Sequence, residues 1–252
     1  MRTLIIDPVG GISGDMLVGS LIHLGCPVEY LESILRALPI GEFTLEVTSR
    51  RIQGITALGL TFGCEDPCEH RSYAFIRDRI LCALPGSVRE RAERIFLALA
   101  EAEAHVHGVS VDEVHFHEAG ALDSILDIAG IAAAIEHLGA DEIYCRSIPL
   151  GTGTTRSMHG TIPLPAPATL KLLEGREVRF TGIASELTTP TGAAVISALA
   201  HKGDPPGRYT VMASGFGCGS RELPGWPNLC RSILCKPDHR EHAEHLYLVE
   251  TD

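Results

Sequence analysis

The sequence predicts a mixed α/β protein of short strands and several helices, and three features carry that reading. The chain opens as strand, glycine-rich turn and helix; two runs rich in β-branched residues flank a Gln-Gly pair; and two long stretches further on hold a helical period. With 45% hydrophobic and 21% charged residues among 252, the chain has enough apolar side chain for a substantial core.

Thr3 to Asp7 is a short apolar run ending in an acid. Pro8-Val9-Gly10-Gly11-Ile12-Ser13-Gly14 follows, and then the period of Met16, Leu17, Ser20, Leu21 and Leu24. Phe43 to Ile52 and Thr56 to Phe62, separated by Gln53-Gly54, predict a hairpin. Tyr73 to Ala83 and Ser87 to His107 predict helices, the second opened by Ser87 at the cap with Glu90 three residues on. A helix from about Leu122 to Leu138 is ended by Gly139. Strand-like pieces follow at Glu142 to Ser147, Val178 to Thr181, Tyr209 to Ala213 and Leu229 to Lys236, among short helices near Ala166 to Leu173 and Thr191 to Leu199. No internal repeat is present, and neither a Rossmann nor a P-loop signature occurs.

The expected organisation is a region 1–236, either one unit or two subdomains at about 1–140 and 141–236. A polar, His-rich segment 237–252 follows, reading as a linker or the start of a further domain. The net charge of −11, with 21 basic and 32 acidic residues and no Lys/Arg stripe, excludes nucleic acid and anionic membrane as expected partners. No apolar run approaches the ~20 residues that span a bilayer, and Asp7 arrives too early for a signal peptide, so a cytoplasmic location is expected. Eight cysteines without regular spacing read as reduced thiols. Composition leaves a homo-oligomer open.

The densest chemistry lies at residues 114–127. His115 and His117 alternate as on a strand, so both imidazoles face one side; Asp123 and Asp127 are four apart, so a helix puts both carboxylates on one face. With Glu118 between them, the set suits a borderline divalent cation such as nickel, manganese or zinc. On spacing alone a structural reading stands beside it, in which Asp123 caps the helix, Asp127 faces water and the histidines sit at the core edge. The turn holding Gly11, Ser13, Gly14 and Asp15 could present backbone N–H groups to a phosphate, or the glycines could serve the turn alone. Cys64, Cys68 and His70 form a weaker candidate metal set, as do His239, His242 and His245; His159 lies in a Thr- and Pro-rich loop of the kind where functional side chains concentrate.

Four segments, in this order, resemble the signature blocks of the pyridinium-3,5-bisthiocarboxylic acid mononucleotide nickel-insertion proteins: Gly11 to Met16, His115 to Asp127, His159 to Thr169 and Glu186 to Ala194. The resemblance implies a cyclometallase of the lyase class. It implies that nickel, as substrate, enters a dithiolated pyridinium mononucleotide through two nickel–sulfur bonds and one nickel–carbon bond. CTP hydrolysis and a manganese or magnesium ion accompany the reaction. As site residues it implies Glu118, Asp123 and Asp15 for catalysis, Gly11, Ser13, Gly14, Thr188 and Thr189 for the nucleotide, and His115, His117, Asp127 and His159 for the metal.

It further implies a separate C-terminal CTP-binding polypeptide as partner, since Leu248 to Asp252 resembles the opening of the family's second domain. The sequence departs from the family in keeping one histidine, His70, where a histidine run usually precedes an His-Arg pair. The alternatives are a non-catalytic nickel-binding carrier and a metal-dependent phosphohydrolase built on Asp7, Asp15 and the His115 cluster.

Overall fold

The structure, a computed structural model, describes residues 1–64, 71–116, 122–158 and 160–238. Strand β1 (Thr3–Asp7) is followed by helices α1 (Gly14–Leu24) and α2 (Val28–Leu35), then by β2 (Phe43–Ile52) and β3 (Ile55–Cys64). The β2–β3 hairpin runs in register from Phe43 opposite Cys64 to Ile52 opposite Ile55. Gln53 and Gly54 at its tip both take positive φ, 48° and 87°, as a two-residue turn matched to strand twist requires.

Next come β4 (Arg71–Ser72) and the single turn α3 (Tyr73–Phe75), which runs on as a π turn at Ile76–Ile80 and a 3-10 turn at Leu81–Ala83. Helix α4 (Gly86–His107) leads to β5 (His115–Phe116), which pairs antiparallel with β4. Helix α5 (Leu122–Leu138) precedes β6 (Glu142–Cys145), β7 (Ile148–Leu150), β8 (Gly153–Ser157), β9 (Gly160–Leu164), α6 (Pro167–Leu172), β10 (Val178–Phe180), α7 (Pro190–Leu199), β11 (Tyr209–Cys218) and β12 (Leu229–Pro237).

A six-stranded sheet of order β2-β3-β11-β12-β1-β6 organises the molecule. The β1–β6 and β3–β11 pairs are parallel and the others antiparallel, so the sheet is mixed and the fold α+β. Strands from both sides of residue 140 share this sheet, and one apolar cluster runs from Leu4 to Leu234. Residues on either side of position 140 thus share one sheet and one core. Helix α5 explains its own position: residues 128–135 are all buried, and a helix apolar around its whole circumference belongs inside, here against α1, α2 and α4. No helix among the described residues is long and apolar enough to cross a membrane.

Helix α1 lies directly on β3, β11 and β12, and glycines set how closely. A Cβ on Gly217 would overlap the Met16 carbonyl oxygen and stand 2.6 Å from the Ser20 nitrogen, so backbone meets backbone there. Gly217→Ala is expected to push α1 off the sheet and lower stability by about 1–3 kcal/mol, the usual cost of overpacking, read as a lower urea midpoint at unchanged slope.

Two local expectations change. Ser87 does not cap α4; Pro85 does, its carbonyl accepting from the Arg89 amide at 2.7 Å, while the Ser87 hydroxyl bonds Glu136 on α5. The Thr-rich stretch 151–155 is less a turn than a strand, because Gly153 to Ser157 pairs with Gly160 to Leu164 as a β8–β9 hairpin.

Candidate functional site

The site grows from the way three helices begin. Before α1, the Ile12 amide donates to the Leu187 carbonyl (2.8 Å) and the Thr189 amide to the Ile12 carbonyl (3.1 Å), tying the first turn to the segment that leads into α7. Thr189 caps α7 by accepting from the Gly192 amide at 3.2 Å, with Pro190 at the first helical position. Helix α5 docks through Asp127, whose carboxylate accepts from the Asp15 amide in the first turn of α1. Gly14 makes this possible: a Cβ there would overlap an Asp127 carboxylate oxygen and stand 2.7 Å from its Cβ and Cγ. An internal carboxylate thus occupies the positive end of α1.

A cavity of about 450 Å³ opens at these three N-termini, walled by Ser13, Asp15, Asp123, Asp127, Glu186 and Thr189, with Phe62 from β3 and Glu103 from α4 closing it. Its electrostatics are set by carboxylates. Burial raises the Asp15 pKa above the usual carboxylate range, against the lowering effect of a short hydrogen bond from the Ser13 hydroxyl. Burial raises Asp127 further, well above that range, and the neighbouring Asp15 and Asp123 charges push the same way. Asp127 Oδ1 is buried and, among the described residues, has no hydrogen-bond partner. A cation would relieve both the crowding and the orphaned oxygen. Yet among the described residues no three His, Cys, Asp or Glu side chains stand close enough together to hold a metal ion.

A second cavity, also of about 450 Å³, adjoins the first, and Glu103, Glu186 and Pro190 line both. The β8–β9 hairpin covers it with Arg156, Met158 and Ile162, while His115, Phe116 and Arg221 form the remaining wall. Glu103 pairs there with His107 one turn on, at 3.3 Å.

These two cavities gather most of the described candidates but separate some. Asp15, Asp123, Asp127, Ser13, Gly14 and Thr189 line the first; His115 lines the second, so His115 and Asp127 face adjoining chambers rather than one coordination sphere. Asp127, which only the structural alternative placed facing water, is half-buried against α1. Gly11 is buried, with a Cβ position 3.2 Å from the Leu187 carbonyl carbon, so it serves a close backbone approach. Thr188 is buried too, its hydroxyl donating to the Pro149 carbonyl at 2.7 Å. His117, Glu118, His159, Cys68, His70 and the histidines at 239, 242 and 245 lie outside the described residues. Sequence reasoning passed over Glu103, Arg156 and Arg221. The Glu103–His107 spacing on α4 was a legible signal for the first, but a single arginine in a loop or hairpin carries none.

The fold and these cavities define an α+β protein with a carboxylate-lined chamber at the start of three helices. The nickel insertion protein family matches residues 4–252, and the chain belongs to that family. It is 43% identical over 231 residues to the pyridinium-3,5-bisthiocarboxylic acid mononucleotide nickel insertion protein of Staphylococcus saprophyticus, covering 91% of this chain and 59% of that protein. A family relative from Myxococcus xanthus is 43% identical over 255 residues, with 100% of this chain and 65% of the relative covered. One from Geobacter sp. strain M21 is 41% identical over 254 residues, with 100% and 66% covered. The chain thus spans about 59–66% of the length of these curated relatives. No solved structure matches the chain.

Proposed function

We propose that this chain acts in nickel insertion into pyridinium-3,5-bisthiocarboxylic acid mononucleotide, with nickel as substrate. The observation that supports it best is convergence. Segments 11–16, 122–127 and 186–194 meet on the carboxylate-lined cavity, and 160–168 contributes Ile162, Ala166, Pro167 and Ala168 to the cavity beside it. Far-apart stretches that resemble one family's signatures thus share one surface.

The chemistry asks for a held divalent ion, an oriented ring, and a base for the proton that the ring carbon loses as the nickel–carbon bond forms. In this proposal His115, His117 and His159 supply metal ligands, Asp127 receives the ion in the adjoining carboxylate chamber, and Asp15, Asp123 and Glu118 supply proton acceptors. A carboxylate raised by burial, as Asp15 and Asp127 are, is a better proton acceptor near neutral pH than an ordinary one. Ser13, Gly14 and Thr189 shape the wall offered to the mononucleotide, and the buried Gly11 and Thr188 hold that wall in place from behind.

The acidic cavity does not fit CTP, because a triphosphate needs cationic partners and, among the described residues, no Lys or Arg lines it. Carboxylates are suitable donors for manganese or magnesium, but the described ones are not grouped to hold an ion. A separate C-terminal CTP-binding polypeptide is the partner that this reading proposes for that nucleotide.

The test is nickel titration by calorimetry. Replacing His115 and His117 together by Ala is expected to weaken nickel binding by at least ~10-fold through loss of imidazole ligands. An unchanged titration with the circular dichroism intact would remove those histidines from the site. Formation of the nickel pincer is then followed by absorbance with the mononucleotide and CTP, with and without the part of the relatives' length that this chain does not span. Product only when that part is added supports the shared reaction; no product in either case counts against it.

A further inference from the structure

We infer that Arg179 and Trp226 are positioning residues for the reaction proposed above. They hold the carbonyls of Pro8, Val9 and Gly10 and so fix the turn that presents Ser13, Gly14 and Asp15 to the carboxylate-lined cavity; the inference rests on that proposed function.

The turn between β1 and α1 has little of its own to hold it in shape. Gly10, Gly11 and Gly14 bring no side chains to pack, and a Cβ on either of the first two would overlap the carbonyl oxygen of Pro227 or Leu187. Backbone meets backbone there, so hydrogen bonds set the geometry. Pro8 and Gly10 are buried, and a buried carbonyl needs a donor. Among the described residues no backbone amide reaches the carbonyl oxygens of Pro8, Val9 or Gly10. Two side chains from distant parts of the chain do. Arg179, on β10, donates from Nη2 to the Pro8 carbonyl at 2.9 Å and to the Val9 carbonyl at 2.6 Å, and from Nη1 to the Ser147 carbonyl at 3.3 Å. Trp226, in the loop between β11 and β12, donates from Nε1 to the Gly10 carbonyl at 2.7 Å.

Holding these oxygens also sets the amides that follow them. In a planar trans peptide the carbonyl and the next N–H point in opposite directions. With the Val9 carbonyl on Arg179, the Gly10 amide is aimed at the Leu229 carbonyl, which it reaches at 2.9 Å. With the Gly10 carbonyl on Trp226, the direction of the Gly11 amide is fixed as well, and the bond from the Thr189 amide to the Ile12 carbonyl at 3.1 Å does the same for Ser13. The chain therefore enters α1 with its peptide planes set, and Ser13, Gly14 and Asp15 line the cavity in one arrangement before a ligand arrives. A wall set in advance lowers the ordering cost of binding.

Neither Arg179 nor Trp226 lines either cavity, so their effect on a ligand passes through the turn. The chain has 32 acidic residues, yet among the described residues Arg179 pairs with none and gives its N–H groups to neutral carbonyls. Arg176 has the same chemistry in another place. It donates to the carbonyls of Ile196 (2.9 Å), Ala200 (2.7 Å) and His201 (2.7 Å) at the end of α7, whereas the cavity lies at the start of that helix, beside Pro190. It is therefore a matched control.

The experiment titrates the full chain with two probes, the bisthiocarboxylic acid mononucleotide and nickel, by calorimetry, and follows each protein in a urea melt. The proteins are the parent, Arg179→Met, Arg179→Lys, Trp226→Phe and Arg176→Met. Arg179→Met and Arg176→Met both remove backbone bonds, so both should lower the urea midpoint. Only Arg179→Met should weaken mononucleotide binding, by ~10-fold, because a displaced wall no longer meets the ligand. Trp226→Phe keeps the ring and loses one donor, for an expected loss of about fivefold. Arg179→Lys should retain part of the affinity, since the ammonium still donates but lacks the planar fork. Nickel affinity should stay within about threefold throughout, because Asp127 is held by the first turn of α1 rather than by residues 8–10.

A role in stability alone would lower the midpoint and leave the affinity of the folded chain as it is. Arg179→Met and Trp226→Phe binding the mononucleotide as the parent does would thus overturn the inference and leave the proposed function standing. An equal loss in Arg176→Met would overturn it too, since any loosening of the fold would then suffice. Should Arg179→Met not fold, Arg179→Lys and Trp226→Phe carry the same comparison. A parent that binds neither probe would defeat the proposed function and this inference with it.

Discussion

Gly14→Val is expected to weaken cation binding at least ~10-fold as well as to weaken mononucleotide binding, and the reason lies in Asp127. A turn that merely left room for a phosphate would let a valine at 14 block the nucleotide and spare the metal. Here the space beside Gly14 is filled by protein: a Cβ would stand 2.7 Å from Asp127 Cβ and Cγ and overlap its carboxylate. The valine must drive Asp127 away from α1, breaking its bond with the Asp15 amide and opening the junction of α1 with α5. Overpacking of this kind costs about 1–3 kcal/mol. Nickel affinity should fall at least ~10-fold, as displacement of a ligand or its support typically does. A urea melt and a nickel titration on the same preparation check both effects. Normal nickel binding in the variant would mean that Asp127 is not part of the cation site.

How much of this was legible in the sequence depended on how far apart the deciding residues lie. β1, β2 and α5 fall where local pattern puts them, because apolar runs and helical period depend on neighbours alone. Strand β11 runs on to Cys218, beyond the expected Ala213, because Ser214-Gly215-Phe216-Gly217 reads as a breaker; the glycines are there so that α1 can lie against the strand backbone. Helix α2 went unread since only Leu31 and Leu35 of its eight residues are buried, a faint periodicity. The β8–β9 hairpin alternates between exposed and half-buried residues, so it lacks the apolar signal of a core strand. At the site, Asp123 and Asp127 were readable as a helix pair. The docking of Asp127 on Gly14, from the other end of the first half of the chain, was not, since no local pattern reports a contact made by folding. The same holds for the shared wall of Glu103 on α4 and Glu186 before α7.

Asp127→Asn should melt higher than the parent at neutral pH and lose its response to nickel. Burial, with Asp15 and Asp123 nearby, holds the folded Asp127 pKa well above the value of the unfolded chain, so the folded state resists ionisation at this position. The folded state then binds the proton more tightly than the unfolded one. The resulting penalty is absent below the unfolded carboxyl pKa of about 3.9, grows as pH rises towards the folded value, and is fully present above it. Asparagine keeps an oxygen to accept from the Asp15 amide but has no charge to desolvate, so it removes that penalty. The melting temperature should rise by about 2–4 °C per kcal/mol regained in a chain of this size. The advantage over the parent should shrink as the pH falls to about 4, because the parent is then protonated as well. Nickel should raise the melting temperature of the parent by mass action and leave the variant unmoved. Thermal melts from pH 4 to pH 8, with and without nickel, test both halves. A variant that melts lower than the parent at neutral pH would show that the buried carboxylate is held by a partner that compensates its charge. A variant that nickel stabilises as much as the parent would place the cation elsewhere.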